Sequence, residues 1–239
     1  MTRVALITGA GRGLGKVLAT FLAGQGYSVI ITSRTAMELE EVAHSIRNLG
    51  ARVEAVPGDI TDPGHRSRLL GETNAMGGVF FLLNNASDLG ETPRPELASA
   101  SLDSFRSTLE TNLVAPLALI QEALPQLEST KGLIVNITSD ASQAGYLRWG
   151  IYGSSKAALD LVTKTLAVEL KPRNISVVSV DPGDMRTRMQ QDAFPDEDLS
   201  NRPMPEVTLP FWAWLSGQDP QRITGMRYQA QGTLWEVPA

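Results

Sequence analysis

Three side chains have the types and spacing for acid–base work on a carbonyl or alcohol oxygen. Tyr152 and Lys156 are four residues apart, so on a helix they share one face. A free phenol ionises near pH ~10 and shuttles protons poorly at neutral pH. A lysine ammonium beside it favours the phenolate and is expected to lower that value. Ser139, 13 residues upstream of Tyr152, ends a strand-like run. Its hydroxyl is placed to bond the oxygen that Tyr152 protonates.

A phosphate-binding signal lies near the N-terminus, in Thr8-Gly9-Ala10-Gly11-Arg12-Gly13-Leu14-Gly15. The glycines sit between the strand-like Val4–Thr8 and a helix expected to start near Arg12. Such a turn brings a pyrophosphate against backbone N–H groups at a helix N-terminus. The end of the second strand decides between nicotinamide cofactors. Sheets of this kind that take NAD usually place an acid there for the ribose hydroxyls. Here Ile30-Ile31-Thr32 runs into Ser33 and Arg34, with Arg12 as a second cation. Arginine binds a 2′-phosphate that a carboxylate would repel, so the expected cofactor is NADP(H).

Asn112 stands four residues before Pro116 in an expected helix. Proline has no N–H, so the Asn112 carbonyl loses its usual donor and is left open to a water. The plainer alternative is that Pro116 only bends the helix.

Composition narrows the chemistry. The 239 residues contain no cysteine and two histidines, His44 and His65, in different segments. That excludes a disulfide framework, a thiolate nucleophile and a metal site built on Cys or on clustered His. Lys and Arg number 21 against 26 Asp and Glu, a net charge of −5. Nucleic-acid binding is disfavoured by that balance. No apolar run approaches a membrane span, and no signal peptide precedes Val4. The expectation is a cytoplasmic protein without membrane or nucleic-acid partners and without a metal.

The elements that must position these residues alternate in type. Strand-like runs are Val4–Thr8, Ser28–Ser33, Arg52–Pro57, Val79–Asn84, Gly132–Thr138, Ile175–Val180 and Met226–Ala230. Helical patterns such as Lys16–Ala23 and Met37–Leu49 lie between them. Continuous apolar strands alternating with helices predict a parallel sheet covered on both faces. The fold expected is α/β: one doubly wound, Rossmann-like domain over residues 1–239, with about seven strands. Three irregular segments, Ser87–Ala100, Asp140–Gly150 and Asp184–Glu206, follow strands and should build the ligand crevice. The last is long enough to read as a substrate loop, 184–206.

In chain order these motifs resemble the short-chain dehydrogenase/reductase family, over nearly the whole chain. The Thr-Gly-x-x-x-Gly-x-Gly turn is followed by Asp59 and Ile60, then by Asn84-Asn85-Ala86-Ser87, where the family has Asn-Asn-Ala-Gly. Asn112, Ser139, Tyr152-x-x-x-Lys156, Pro182-Gly183 and Thr187 complete the pattern. The resemblance implies Tyr152 as general acid or base and Lys156 tuning it while bonding the nicotinamide ribose. It implies Ser139 polarising the substrate oxygen and Asn112 holding a relay water. It also implies Asp59 and Ile60 against adenine, and Asn85, Ala86, Ser87, Pro182, Gly183 and Thr187 at the cofactor.

Two long helical stretches are apolar on more than one face. One holds Leu113, Val114, Leu117 and Leu124; the other holds Leu159, Leu161, Leu166 and Val168. A helix on a sheet needs one apolar stripe, so the second implies subunit packing. The resemblance implies a homodimer or homotetramer through these helices, which bear Asn112 and Tyr152. The expected activity is NADP(H)-dependent interconversion of a small-molecule carbonyl and a secondary alcohol. The alternatives are a non-catalytic NADP(H)-binding regulator, or epimerisation or dehydration on the same scaffold.

Overall fold

The structure, a computed structural model, describes residues 3–237. Seven strands form one sheet: β1 (Val4–Thr8), β2 (Ser28–Thr32), β3 (Val53–Ala55), β4 (Val79–Asn84), β5 (Leu133–Ile137), β6 (Ser176–Asp181) and β7 (Arg227–Gln229). Their order is β3-β2-β1-β4-β5-β6-β7, and every pairing is parallel. The doubly wound α/β expectation holds. β3 and β7 are each shorter than the strand-like run that announced it.

The sheet divides its side chains by alternation, broken in β4 where a register shift leaves Phe80 and Phe81 in the same core. Ala5, Ile7, Val29 and Ile31 belong to one core; Val4, Leu6 and Ile30 belong to the other. The first face is covered by helices α1 (Gly13–Gly24) and α2 (Ala36–Asn48), through Leu18, Leu22, Leu39, Val42 and Ile46. The second is covered by α3 (Pro63–Ala75), α5 (Ala115–Thr130) and α6 (Gly150–Leu170), through Leu69, Leu119, Ile120, Leu127 and Leu170. A shorter helix, α4 (Leu102–Leu109), leads towards α5. No helix among the described residues is long and apolar enough to cross a membrane.

The chain turns outward in opposite directions after β1 and after β4, which are neighbours in the sheet. That reversal opens a crevice at the carboxyl ends of the strands. Segment 184–206 is more ordered than its prolines and polar residues imply. It contains α7 (Arg188–Ala193), whose first turn is capped by the Thr187 hydroxyl accepting from the Gln190 N–H. Two further helices, α8 (Leu209–Ser216) and α9 (Pro220–Ile223), lead into β7.

Candidate active site

The glycine turn after β1 is held in a shape that only glycine suits. Gly9 and Gly13 have φ of 67° and 55°, and a Cβ on Gly15 would stand 2.3 Å from the Gly9 carbonyl oxygen. The turn is fastened to the end of β4. Thr8 Oγ1 accepts from the N–H groups of Asn85 and Ala86, both at 3.0 Å. Asn85 Nδ2 donates to the carbonyls of Thr8 and Gly9 at 2.9 and 3.2 Å. The Asn85 amide, expected at the cofactor, therefore spends both N–H groups bracing the turn.

At one end of the crevice lie Ser33, Arg34, Asp59 and Ile60. Burial pushes the Asp59 carboxyl up, but the Thr61 N–H and hydroxyl, with the Arg34 charge, hold it below the usual carboxylate range. Arg34 is exposed and makes no ion pair with the described residues. Arg12 stands 3.7 Å from Glu38, on the first turn of α2. Glu38 lines the same end of the crevice and was not picked out from the sequence.

At the other end Ser139, Tyr152 and Lys156 converge. Ser139 Oγ caps the turn after β5, accepting from the Ala141 N–H at 3.2 Å and donating to Asp140 Oδ1 at 3.0 Å. Tyr152 and Lys156 rise from the first turns of α6, and both are buried. Lys156 Nζ donates to the Ile137 carbonyl at 2.8 Å and lies 5.5 Å from the centre of the Tyr152 ring.

The electrostatics here differ from the expectation. Burial pushes the Tyr152 phenol up; the Ser87 and Ser139 hydroxyls pull it back, and Asp181 and Asp140 add to the rise. Lys156 is pushed down to about 8 by burial, with the Asp160 carboxylate opposing. The lysine does not lower the phenol in this structure. An ammonium committed to a carbonyl has less effect on it than loss of water from both groups.

The chain around Asn112 is not the plain helix expected. Glu110–Val114 form a π-helical turn between α4 and α5. Pro116 stands five residues after Thr111 and four after Asn112, and offers an N–H to neither. The Asn112 side chain is fully engaged. Oδ1 accepts from the Asp88 N–H at 2.7 Å and Ser87 Oγ at 3.2 Å; Nδ2 donates to the Asp88 carbonyl and Ser155 Oγ at 2.8 and 2.9 Å. Any water here must therefore take the backbone carbonyl. Ser87 has no left-handed φ, and its hydroxyl faces Asn112 and Tyr152.

A buried ionic cluster supports the site and is invisible in sequence. Arg227 of β7 donates to the Ser139 carbonyl at 2.9 Å and to Asp181 at 3.1 Å, and its Nε reaches Asp160 at 3.3 Å. Ser142 donates to the same Asp160 oxygen at 2.5 Å. These residues are separated by tens of positions, and no local pattern announces them.

Except for Asn112, every residue singled out for the site lines one crevice of ≈ 440 Å³. Pro182, Gly183 and Thr187 close it beside the glycine turn. The Gly183 N–H donates to Asp181, and a Cβ on Gly13 would touch the Thr187 methyl at 3.5 Å. Positive-φ glycines, a helix N-terminus and Arg34, which has no ion pair among the described residues, form a cradle suited to a dinucleotide phosphate.

Comparison with known proteins agrees with this geometry. A family model described as short chain dehydrogenase matches residues 3–198. The oxidoreductase YciK of Escherichia coli is 30% identical over 234 residues, covering 96% of this chain and 92% of its own. L-xylulose reductase of Bos taurus is 32% identical, covering 87% and 82%. Among solved structures, a short chain dehydrogenase from Pseudomonas syringae superposes with TM-score 0.90 at 32% identity, over 96% of this chain and 94% of that one. One from Shigella flexneri, complexed with NADP, gives 0.89 at 29% identity, over 96% and 97%.

Proposed function

This chain belongs to the short-chain dehydrogenase family of oxidoreductases, and on that premise we propose that it interconverts a carbonyl and a secondary alcohol with NADP(H). The observation that carries the reading is the meeting of Tyr152, Ser139 and Lys156 with a glycine-built phosphate cradle in one crevice. When bound, the nicotinamide ring supplies or accepts the hydride.

The chain's own groups do the rest. Gly9, Gly11, Gly13, Leu14 and Gly15 present backbone to the pyrophosphate, with Ala86 and Thr187 beside it. Arg34 and Arg12 take the 2′-phosphate, next to Ser33. Asp59 and Ile60 border the adenine; Pro182 and Gly183 border the nicotinamide end. Ser139 Oγ turns from Asp140 to the substrate oxygen and polarises it. In reduction Tyr152 gives its proton to that oxygen; in oxidation it takes the proton back. Lys156, one helical turn from Tyr152, would hold the nicotinamide ribose. The Asn112 backbone, at a helix turn where Pro116 withholds an N–H, offers the relay water its carbonyl. The solved structures from Shigella flexneri and Escherichia coli, complexed with NADP and NADPH, support the choice of cofactor.

Residues 1–239 act as one catalytic domain, with 184–206 walling the substrate side. Subunits pair through α5 and α6 into a homodimer or homotetramer, a reading supported by the outward exposure of Leu161 and Val168. Loss of NADPH absorbance with a panel of carbonyl compounds tests the function. Turnover of a carbonyl to its alcohol supports it; epimerised or dehydrated product without net cofactor oxidation overturns it.

A further inference from the structure

The relatives reported above fix no substrate for this chain, so it must be read from the chain's own walls. Beside Tyr152 the crevice is lined by Leu89, Ala141, Met189, Trp149 and Phe194. The Trp149 ring meets the Tyr152 ring edge-on at 5.6 Å and the Phe194 ring at 5.9 Å. These contacts join the aromatic wall to the ring that carries the reacting hydroxyl.

Most cations of the surrounding loops are engaged away from that wall; the buried Arg94 Nη1 has no hydrogen-bond partner among the described residues. The Arg94 guanidinium lies 3.8 Å from the centre of the Trp149 ring and 4.8 Å from that of Phe194, and it donates to the Ala193 carbonyl at 2.7 Å. It does not line the crevice and packs against both rings. Arg202 is paired with Asp184 and Glu197, and Arg186 donates to the Met204 sulfur. Arg148 is exposed and does not line the crevice. Arg188 does line it, but is solvent-exposed and stands 4.0 Å from Asp192. Asp140 meanwhile accepts from the Ser139 and Tyr146 hydroxyls at 3.0 Å each, so a carboxylate already stands beside the group that polarises the substrate oxygen. An oxo acid would bring a second carboxylate into that field, and a ketose would leave its hydroxyls against apolar walls.

We propose that the substrate is an uncharged ketone, or the matching secondary alcohol, bearing an aromatic or similarly bulky apolar group seated between Trp149, Phe194, Met189 and Leu89. This rests on the oxidoreductase reading above. In the reduction direction the carbonyl carbon gains a hydride and the oxygen gains the Tyr152 proton. The C=O π bond is lost, and NADPH leaves as NADP⁺.

The test compares acetophenone, butanone, pyruvate and dihydroxyacetone as substrates with NADPH, and measures 1-phenylethanol binding to the NADP⁺-bound protein by calorimetry. The expected kcat/KM for acetophenone exceeds those for pyruvate and dihydroxyacetone by at least about tenfold, the scale of burying one apolar side group. Trp149→Ala should lower acetophenone kcat/KM by about tenfold or more while changing butanone far less. Trp149→Phe, which keeps a ring against Tyr152, should recover most of the loss. Preference for pyruvate or dihydroxyacetone overturns the substrate class and leaves the oxidoreductase reading intact. Binding of 1-phenylethanol without turnover of any ketone supports the pocket and overturns the reaction. Neither binding nor turnover overturns both.

Discussion

Lys156 Nζ is bonded at 2.8 Å to the Ile137 carbonyl, at the end of the strand that also delivers Ser139, and lies 5.5 Å from the centre of the Tyr152 ring. The lysine is thus tied to the sheet rather than to the phenol. Its buried ammonium carries a stability consequence. Below pH ~8 both folded and unfolded chains hold the proton, and the folded chain bears the full cost of burying it. Between about 8 and the ordinary lysine value the unfolded chain holds more protons, so stability rises with pH. Lys156→Met removes that cost, which amounts to at most about 3 kcal/mol, less the lost carbonyl bond. The variant should unfold at a higher temperature than wild type at pH 7, with the gap narrowing by pH 9.5, while turnover collapses. A variant less stable than wild type at pH 7 refutes the buried-charge account.

Cofactor choice should follow the unpaired arginine. Arg34 has no carboxylate partner among the described residues, whereas Arg12 faces Glu38 at 3.7 Å. Losing a charge-assisted bond to phosphate costs roughly 1.5–3 kcal/mol, or about ten- to a hundredfold in affinity. Arg34→Ala should weaken NADPH binding by that factor and leave NADH unchanged. Equal losses for both cofactors, measured by calorimetry, speak against a 2′-phosphate site at Arg34.

Much of this was legible in sequence because it is local. The central strands are nearly continuous apolar runs, the glycine turn is written in eight consecutive residues, and Tyr152 and Lys156 lie one helical turn apart. What sequence did not show is long-range. Arg227 reaches Ser139 across 88 positions, and Asn85 braces the turn at Thr8 across 77. The Asn112 turn was half visible. Pro116 announced a break in the hydrogen-bond ladder, but only the fold shows a π turn with every amide atom of Asn112 engaged. The pKa expectation failed because spacing reports proximity and not burial. Tyr152 and Lys156 are neighbours, yet loss of water moves both away from their charged forms.

A second titrating group lies under β2. The His65 ring is buried, with Nε2 2.7 Å from Thr32 Oγ1, and Gly58 leaves it room: a Cβ there would stand 2.3 Å from Nδ1. Burial, then the Arg68 charge, lowers its pKa, with Asp62 and Asp59 opposing. As pH falls below the ordinary histidine value of about 6.5, the unfolded chain takes a proton that the folded ring refuses, so stability drops. The melting temperature should fall between pH 7.5 and 5.5, and less so in His65→Gln. The same pH dependence in wild type and variant would exclude His65 as its source.

Leu161 and Val168 of α6 are 65% and 76% exposed, one face of a helix left without cover by this chain. Leu161→Arg places a charge there without touching either core. If subunits pair across α6, sedimentation should show a smaller species with an unchanged monomer fold. Parent mass retained at micromolar concentration would place the interface elsewhere.

The central claim is that the Tyr152 hydroxyl carries the proton, and one substitution isolates it. Tyr152→Phe keeps the ring, its edge-on contact with Trp149 and its place in the apolar cluster with Leu89 and Ala193. The variant should fold and bind NADPH like wild type. General acid–base groups contribute about 10²- to 10⁴-fold, so kcat on an accepted carbonyl substrate should fall at least a hundredfold. A variant that binds NADPH normally and turns over within a few-fold of wild type would contradict the mechanism, with fold and cofactor still standing.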